Sequence, residues 1–368
     1  MVSADIIFLF FLGAFAFVVI FSPFLIAALK LLGIVRKTDR DFSSLIEARK
    51  AKQGTPIMGG IAIVLAIVII TMLFNWQRET TYVPIGVLLL AALLGGADDL
   101  LNVFYRTPRH TRTLGRVIRL IRIHKSIPMR VWYVLTFPWQ LYKRFFYLLG
   151  SHPGSGIQAH EKILVQLIMG VAIAWWLSFK LGWTELWLPW VGSFDLGLWM
   201  VPIIIFLVMF MANAVNITDG IDGLSAGTLL IAFGAYFLIA LQHESKDMIF
   251  LIATAGGALA GYLLFNIAPA RYQMGDVASL GMGILLTAIA FALDRVILLP
   301  LIGIIFFLET GSVLMQTGWR VLVGKRFFAM APLHHHLEMR GWSEARIVMY
   351  AWITGLLFAL LALWISYH

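Results

Sequence analysis

Apolar residues along this 368-residue chain come in long unbroken runs, with little of the alternation that marks half-buried strands. A helix that crosses a bilayer needs roughly 20 mostly apolar residues. Runs near that length cover 5–29, 58–74, 82–101, 161–179, 198–215, 224–241, 248–265, 278–293, 297–317 and 345–366. Backbone groups in lipid must be paired internally, so only helices and closed barrels span a membrane, and barrel strands alternate. The pattern therefore predicts an all-α polytopic membrane protein with ten transmembrane helices. The first run is too long for a signal peptide and lacks a small-residue cleavage site, so it reads as a retained helix.

Composition agrees: 61% of residues are hydrophobic and 13% charged, which excludes an ordinary soluble domain. Charge then adds sidedness. The segments 30–56, 102–162, 266–277 and 318–346 hold 24 Lys and Arg; the alternate connections hold only Arg78, Lys180, Lys246 and Arg295. By the excess of positive charge on cytoplasmic loops, the first set is cytoplasmic and both termini are outside. The chain has no cysteine, so disulfide and thiolate chemistry are excluded.

The polar clusters all fall on the positive side. Asp98-Asp99 closes the third run, and two adjacent carboxylates at a membrane mouth need a cation, a Lys/Arg cluster or a wet site. Lys52-Gln53-Gly54-Thr55-Pro56 precedes the second run; its turn amides, with Lys52, suit phosphate oxygens or merely punctuate a helix start. Asn213, Asn216, Asp219 and Asp222 recur every three residues around Gly220 and Gly223, as if on one helix face. Asn266 and Asp276 precede the eighth run and Ser279 lies at its head, and Asp276 suits either Mg²⁺ or a helix cap. His334-His335-His336 follows Pro332; an irregular turn there aims the rings apart, toward phosphate oxygens more readily than toward zinc. Glu309 is an intramembrane carboxylate whose alternative is a packing hydrogen bond to Ser312 or Gln316. Carboxylates, imidazoles and cations gathered at one face suit phosphoryl transfer. An ion-coupled transporter, with Glu309 and the Asp pair as relays, is the reading from another class, and it would place such groups nearer mid-membrane.

In this order the segments resemble the phospho-N-acetylmuramoyl-pentapeptide transferases, within the polyprenyl-phosphate N-acetylhexosamine-1-phosphate transferase superfamily. NAVNITDGIDGL at 213–224 and APLHHHLE at 331–338 are the most specific pieces, and the match runs over about 50–350. The resemblance implies a Mg²⁺-dependent homodimer in the bacterial inner membrane with a cytoplasmic active site. It would make lipid I and UMP from UDP-MurNAc-pentapeptide and undecaprenyl phosphate. A relative using a UDP-N-acetylhexosamine without peptide is the alternative. The resemblance also implies that Asp276 ligates Mg²⁺ and that Asn216, Asp219, Gly220 and Asp222 line the nucleoside site. Lys52, Asn213, Asn266, Ser279, Gln316, His335 and His336 join them around nucleotide and phosphates. Asp98, Asp99, Asp276 and His334 are the candidate catalytic residues, with the Asp pair acting as base toward the lipid phosphate or as nucleophile making a covalent phospho-sugar intermediate. The chain departs from the family in Asn102, where Lys is usual, in Ile57 for Thr, and in Gln273, where an aromatic expected to stack on uracil is usual. Arg106 is the nearest candidate in the sequence for the missing cation, and Tyr272, next to Gln273, for the missing ring.

Residues 104–156 lengthen a loop the family keeps short. From Phe104 to His160 there are ten Lys/Arg and no acid. Arg109, Arg112, Arg116, Arg119 and Arg122 recur at three- and four-residue steps, which predicts a basic amphipathic helix on an anionic leaflet; a nucleic-acid partner is not expected. The aromatic-rich 131–149, with Pro138 inside, reads as interfacial or re-entrant. Crossing the bilayer there would strand Lys143 and Arg144 in lipid and put Asp98-Asp99 and the His run on opposite sides.

Overall fold

A computed structural model describes residues 3–36, 52–77, 79–104, 114–148 and 157–368. All ten apolar runs are helical. They form α1 (Ala4–Leu31), α2 (Gly60–Phe74), α3 (Tyr82–Phe104), α6 (Ala159–Ala174, continued by a π-helical turn Trp175–Lys180), α7 (Met200–Thr218) and α8 (Leu224–Gln242). After these come α9 (Lys246–Asn266), α10 (Asp276–Ala292), the pair α11 (Leu299–Ile302) and α12 (Ile304–Val323), and α14 (Glu344–Tyr367). Between α3 and α6 lie α4 (Leu114–Ile123) and α5 (Ile127–Leu148); α13 (Leu333–Met339) precedes α14. Among the described residues seven helices are long and apolar enough to cross a membrane, and α11 and α12 add a candidate bent by 79°. The remaining two, α2 and α10, are apolar but shorter.

Burial follows position in the bundle. From Val277 to Phe291 every residue of α10 is buried, because α3, α7, α8 and α2 surround it. By contrast α1 and α14 present Phe8, Leu9, Phe24, Ile353 and Leu357 outward, apolar residues suited to lipid. At one end of the bundle a hairpin of β1 (Glu185–Leu188) and β2 (Gly192–Asp195) packs on the turn Val296–Leu298 that leads into α11. The side chain of Asp294 there accepts the Trp187 N–H, and Arg295 lies 4.0 Å from the Trp187 ring centre.

The other end holds the C-termini of α1, α3, α7, α9 and α12 and the N-termini of α2, α6, α8, α10 and α14. The insertion leaves and returns at this same end, since the Ile157 N–H donates to Asp98 Oδ1. Its aromatic stretch is one continuous helix, α5, with Pro138 inside. The expected basic helix is present as α4; Arg109 and Arg112, like Arg106, lie outside the described residues.

Candidate active site

Close approach of α3 to α10 creates the centre of this end. Gly95 touches the Asp276 carbonyl, and a methyl group at 95 would overlap it. One turn later α3 delivers Asp98 and Asp99, both buried, beside Asp276. Gly275 enters α10 with φ +72°, a left-handed value that other residues resist, and a Cβ there would stand 2.6 Å from Asp99 Oδ2. Its N–H donates to Asp219 Oδ2 at 3.2 Å, and the amide of Val277, two residues on, donates to Asp99. Asp99 Oδ2 is buried with no partner among the described residues.

Lys162, near the start of α6, bridges the carboxylates. Its Nζ lies 2.7 Å from Asp98 Oδ2 and 2.6 Å from Asp276 Oδ2. On the other side Asn216 Nδ2 donates to Asp276 Oδ1 at 2.6 Å and to Ser279 Oγ at 2.9 Å. Asn102 donates to Asp98 at 2.9 Å, so it keeps the hydrogen bond while Lys162 provides the charge. Sequence reasoning counted Lys162 among loop cations and missed this role. The available signal was its place at the head of an apolar run, where a lone cation needs an anion.

Burial pushes the Asp219 carboxyl up to about 8; the Gly275 amide opposes this, while Asp276 and Asp222 reinforce it. Four carboxylates thus gather here and one lysine pairs with two of them, Asp98 and Asp276, but they do not close into a cage of three or more metal ligands among the described residues. The donor set still fits Mg²⁺, a hard cation that takes one or two carboxylates and completes its shell with water and phosphate oxygens. Asp276 and the orphaned Asp99 oxygen are donors of that kind.

A second part adjoins the first. Lys52 Nζ lies 2.9 Å from Asp222 and 2.6 Å from Glu344, at the wall of a cavity of about 660 Å³ that Pro269 and Trp342 also line. Asp222 also accepts the Ala270 N–H at 3.0 Å. Glu344 went unnoticed in the sequence because it looks like an ordinary first-turn acid of α14.

Several expected site residues stand behind these walls. Asn213 pairs with Gln166 and locks α7 to α6. Asn266 is buried, accepting from Gly223 N–H and donating to the Tyr272 carbonyl, so its amide is already used. Gln316 accepts from the Phe327 and Phe328 amides. The four-residue repeat shares a helix face only at Asn213 and Asn216, because α7 ends at Thr218. The turn amides near Lys52 are not a phosphate cradle: Gly59 and Gly60 donate to the Gln273 and Met274 carbonyls, and Ile57 to the Ile34 carbonyl.

The histidines do not sit on an irregular turn. They begin α13, which turns each a different way. His334 is fully buried against Gly220, with Nδ1 3.0 Å from Glu309 Oε2 and its own N–H on the same carboxylate. His335 Nδ1 lies 2.7 Å from Glu338, and His336 Nδ1 accepts the Ala329 N–H. Glu309 therefore anchors α13; Ser312 bonds only its main-chain carbonyl. Tyr272 is no substitute for a stacking ring, since it is buried with its hydroxyl 2.7 Å from Ser22 Oγ. Gln273 accepts from Arg36 at 3.2 Å.

Comparison with known proteins shows which family the chain is similar to. The model of Glycosyl transferase family 4 matches residues 154–294, which contain Lys162, Asn216, Asp219, Asp222 and Asp276. A phospho-N-acetylmuramoyl-pentapeptide-transferase of Levilactobacillus brevis is 32% identical over 320 residues, 85% of either chain. One of a Geobacillus species is 34% identical over 358 residues, covering 96% of this chain and 95% of the relative. Another, of Chloroflexus aurantiacus, is 34% identical across 86% of this chain and 78% of its own.

Proposed function

Because the chain belongs to the phospho-N-acetylmuramoyl-pentapeptide-transferase family, we propose that it transfers phospho-MurNAc-pentapeptide from UDP-MurNAc-pentapeptide to undecaprenyl phosphate, releasing UMP and lipid I. The observation that carries this is the junction of Asp98, Asp99, Asp219 and Asp276 with Lys162 at one end of an apolar bundle. The acceptor's phosphate oxygen attacks the β-phosphorus of the donor, and UMP leaves with the α-phosphate. A phosphate monoester has its second pKa near 6, so the attacking oxygen is largely ionised at neutral pH and needs positioning more than deprotonation.

Lys162 offers an ammonium to developing phosphate charge, and Asn216 and Ser279 orient the Asp276 carboxylate. Mg²⁺ held by Asp276, with Asp99 as the nearest further donor, would supply charge neutralisation on the diphosphate. Lys52, Asp222 and their cavity suit the nucleoside end of the donor.

Ten membrane passes, termini outside and a cytoplasmic site in the bacterial inner membrane are the topology we propose, on the Lys/Arg asymmetry. The homodimer follows the family. The deciding assay is purified protein with Mg²⁺ and polyprenyl phosphate, offered UDP-MurNAc-pentapeptide or UDP-N-acetylhexosamines, scoring UMP. UMP only from the peptide-bearing donor is expected. UMP only from a peptide-free donor moves the chain to the sister branch, and no UMP from any donor sinks the enzyme reading.

A further inference from the structure

One side of α5 is apolar and open. Residues 127, 131, 134, 138, 141 and 145 follow one another at steps of four and three, which keeps them on a single helix face. All six are exposed, Ile127 at 72%, Val134 at 53% and Phe145 at 58% among them, and Leu135 beside them is exposed at 70%. A neighbouring side of α5, about a quarter-turn round the helix, is the one that meets the bundle. Trp139, Tyr142 and Phe146 surround the His160 ring, and the Tyr142 hydroxyl donates to the His160 carbonyl at 3.1 Å. Exposed Arg130 and Arg144 lie on α5, and exposed Arg116, Arg119 and Arg122 on α4, which packs against it.

Charge decides what covers the open face. No acid occurs between Phe104 and His160 to offset ten cations. A second copy would present the same positive arm and be repelled. A nucleic acid would answer the arginines but leave six apolar side chains in water. An anionic leaflet answers both, with acyl chains for the apolar face and lipid phosphates for the guanidinium groups.

We propose that the α4–α5 arm is a docking element for anionic phospholipid, lying in the headgroup region at the site end of the bundle. Seated there, α5 holds His160 from the outside, two residues before Lys162, so the leaflet braces the segment that carries the bridging lysine.

The chain's lack of cysteine allows a direct test. Full-length protein carrying Val134→Cys, labelled with an environment-sensitive fluorophore, is placed in vesicles containing acyl-brominated lipid. Strong quenching is expected with phosphatidylglycerol present and weak quenching in phosphatidylcholine alone. Replacing Arg116, Arg119 and Arg122 together by Gln should weaken docking about a hundredfold, taking roughly 1 kcal/mol for each cation. Should that variant not fold, salt titration of the labelled parent in phosphatidylglycerol vesicles gives the same information, because screening should release the label. Equal quenching in both vesicles, salt-independent quenching, no quenching in either, or loss of quenching on adding an RNA oligonucleotide would each overturn the proposal. UMP release has no part in the readout, so the docking result stands apart from the transferase reading.

Discussion

Lys162 balances Asp98 and Asp276 at contact distance, while Asn102 holds Asp98 from one helical turn away. Lys162→Met leaves two largely buried carboxylates without their cation. Part of the ion pair is open to solvent, so the expected loss is on the order of 2 kcal/mol, read as a lowered thermal midpoint in detergent. Adding Asn102→Lys to that variant should recover much of the midpoint; failure to recover would mean that position 102 does not reach the charge vacancy. Asp276→Asn keeps the shape but removes an anion, and at least about a hundredfold loss in the rate of UMP release is expected. Asp219 gives a pH signature. Its carboxyl is raised to about 8, so between roughly pH 4 and pH 8 the folded protein holds a proton that the unfolded chain has released. That contribution is complete at the acid end and is lost as pH rises toward 8. Asp219→Asn should flatten this slope in thermal unfolding. Asp98, Asp99 and Asp276 were legible as candidates in the sequence because carboxylates at the ends of apolar runs are anomalous. Lys162 and the Glu309–His334 pair were not, because each depends on how separate helices pack, which no local pattern reports.

Helix contacts set the distances in the centre. Gly95 lets α3 lie against the first turn of α10, and Gly95→Ala would force the two apart. The expected cost is about 1–3 kcal/mol, as for overpacking elsewhere, and activity should fall further than stability because Asp98 and Asp99 ride on α3. A variant that loses stability alone would show that α3 has slack to absorb the methyl group. Apolar length is a local property, which is why all ten helices could be read from the chain. Helix ends were read less well: α7 stops at Thr218, so the polar repeat through Asp222 turns a corner instead of continuing on one face. The short α13 was invisible because three histidines in a row carry no periodicity, and its start depends on Glu309 from α12.

For the whole molecule, the two ends of the bundle differ in kind. One gathers the carboxylates and the basic arm, and the other carries the small hairpin. Ser343 at the first end and Ser193 at the second are both exposed, whereas Ser225 and Ser279 are buried and make poor probes. Cysteine placed singly at 343 should react with an impermeant reagent only from the cytoplasm, and at 193 only from the opposite side; labelling of both from one side would overturn the proposed orientation. The lengths of the helices add a vertical dimension. At 1.5 Å per residue, α10 with 17 residues is about 26 Å long and α2 with 15 about 22 Å, against about 42 Å for the 28 residues of α1. Both short helices have their N-termini at the carboxylate end. Gly59 and Gly60 at the head of α2 donate to the Gln273 and Met274 carbonyls just ahead of α10, so the two short helices begin as one tied unit. A shift at either start is passed to the other, and with it to Asp276.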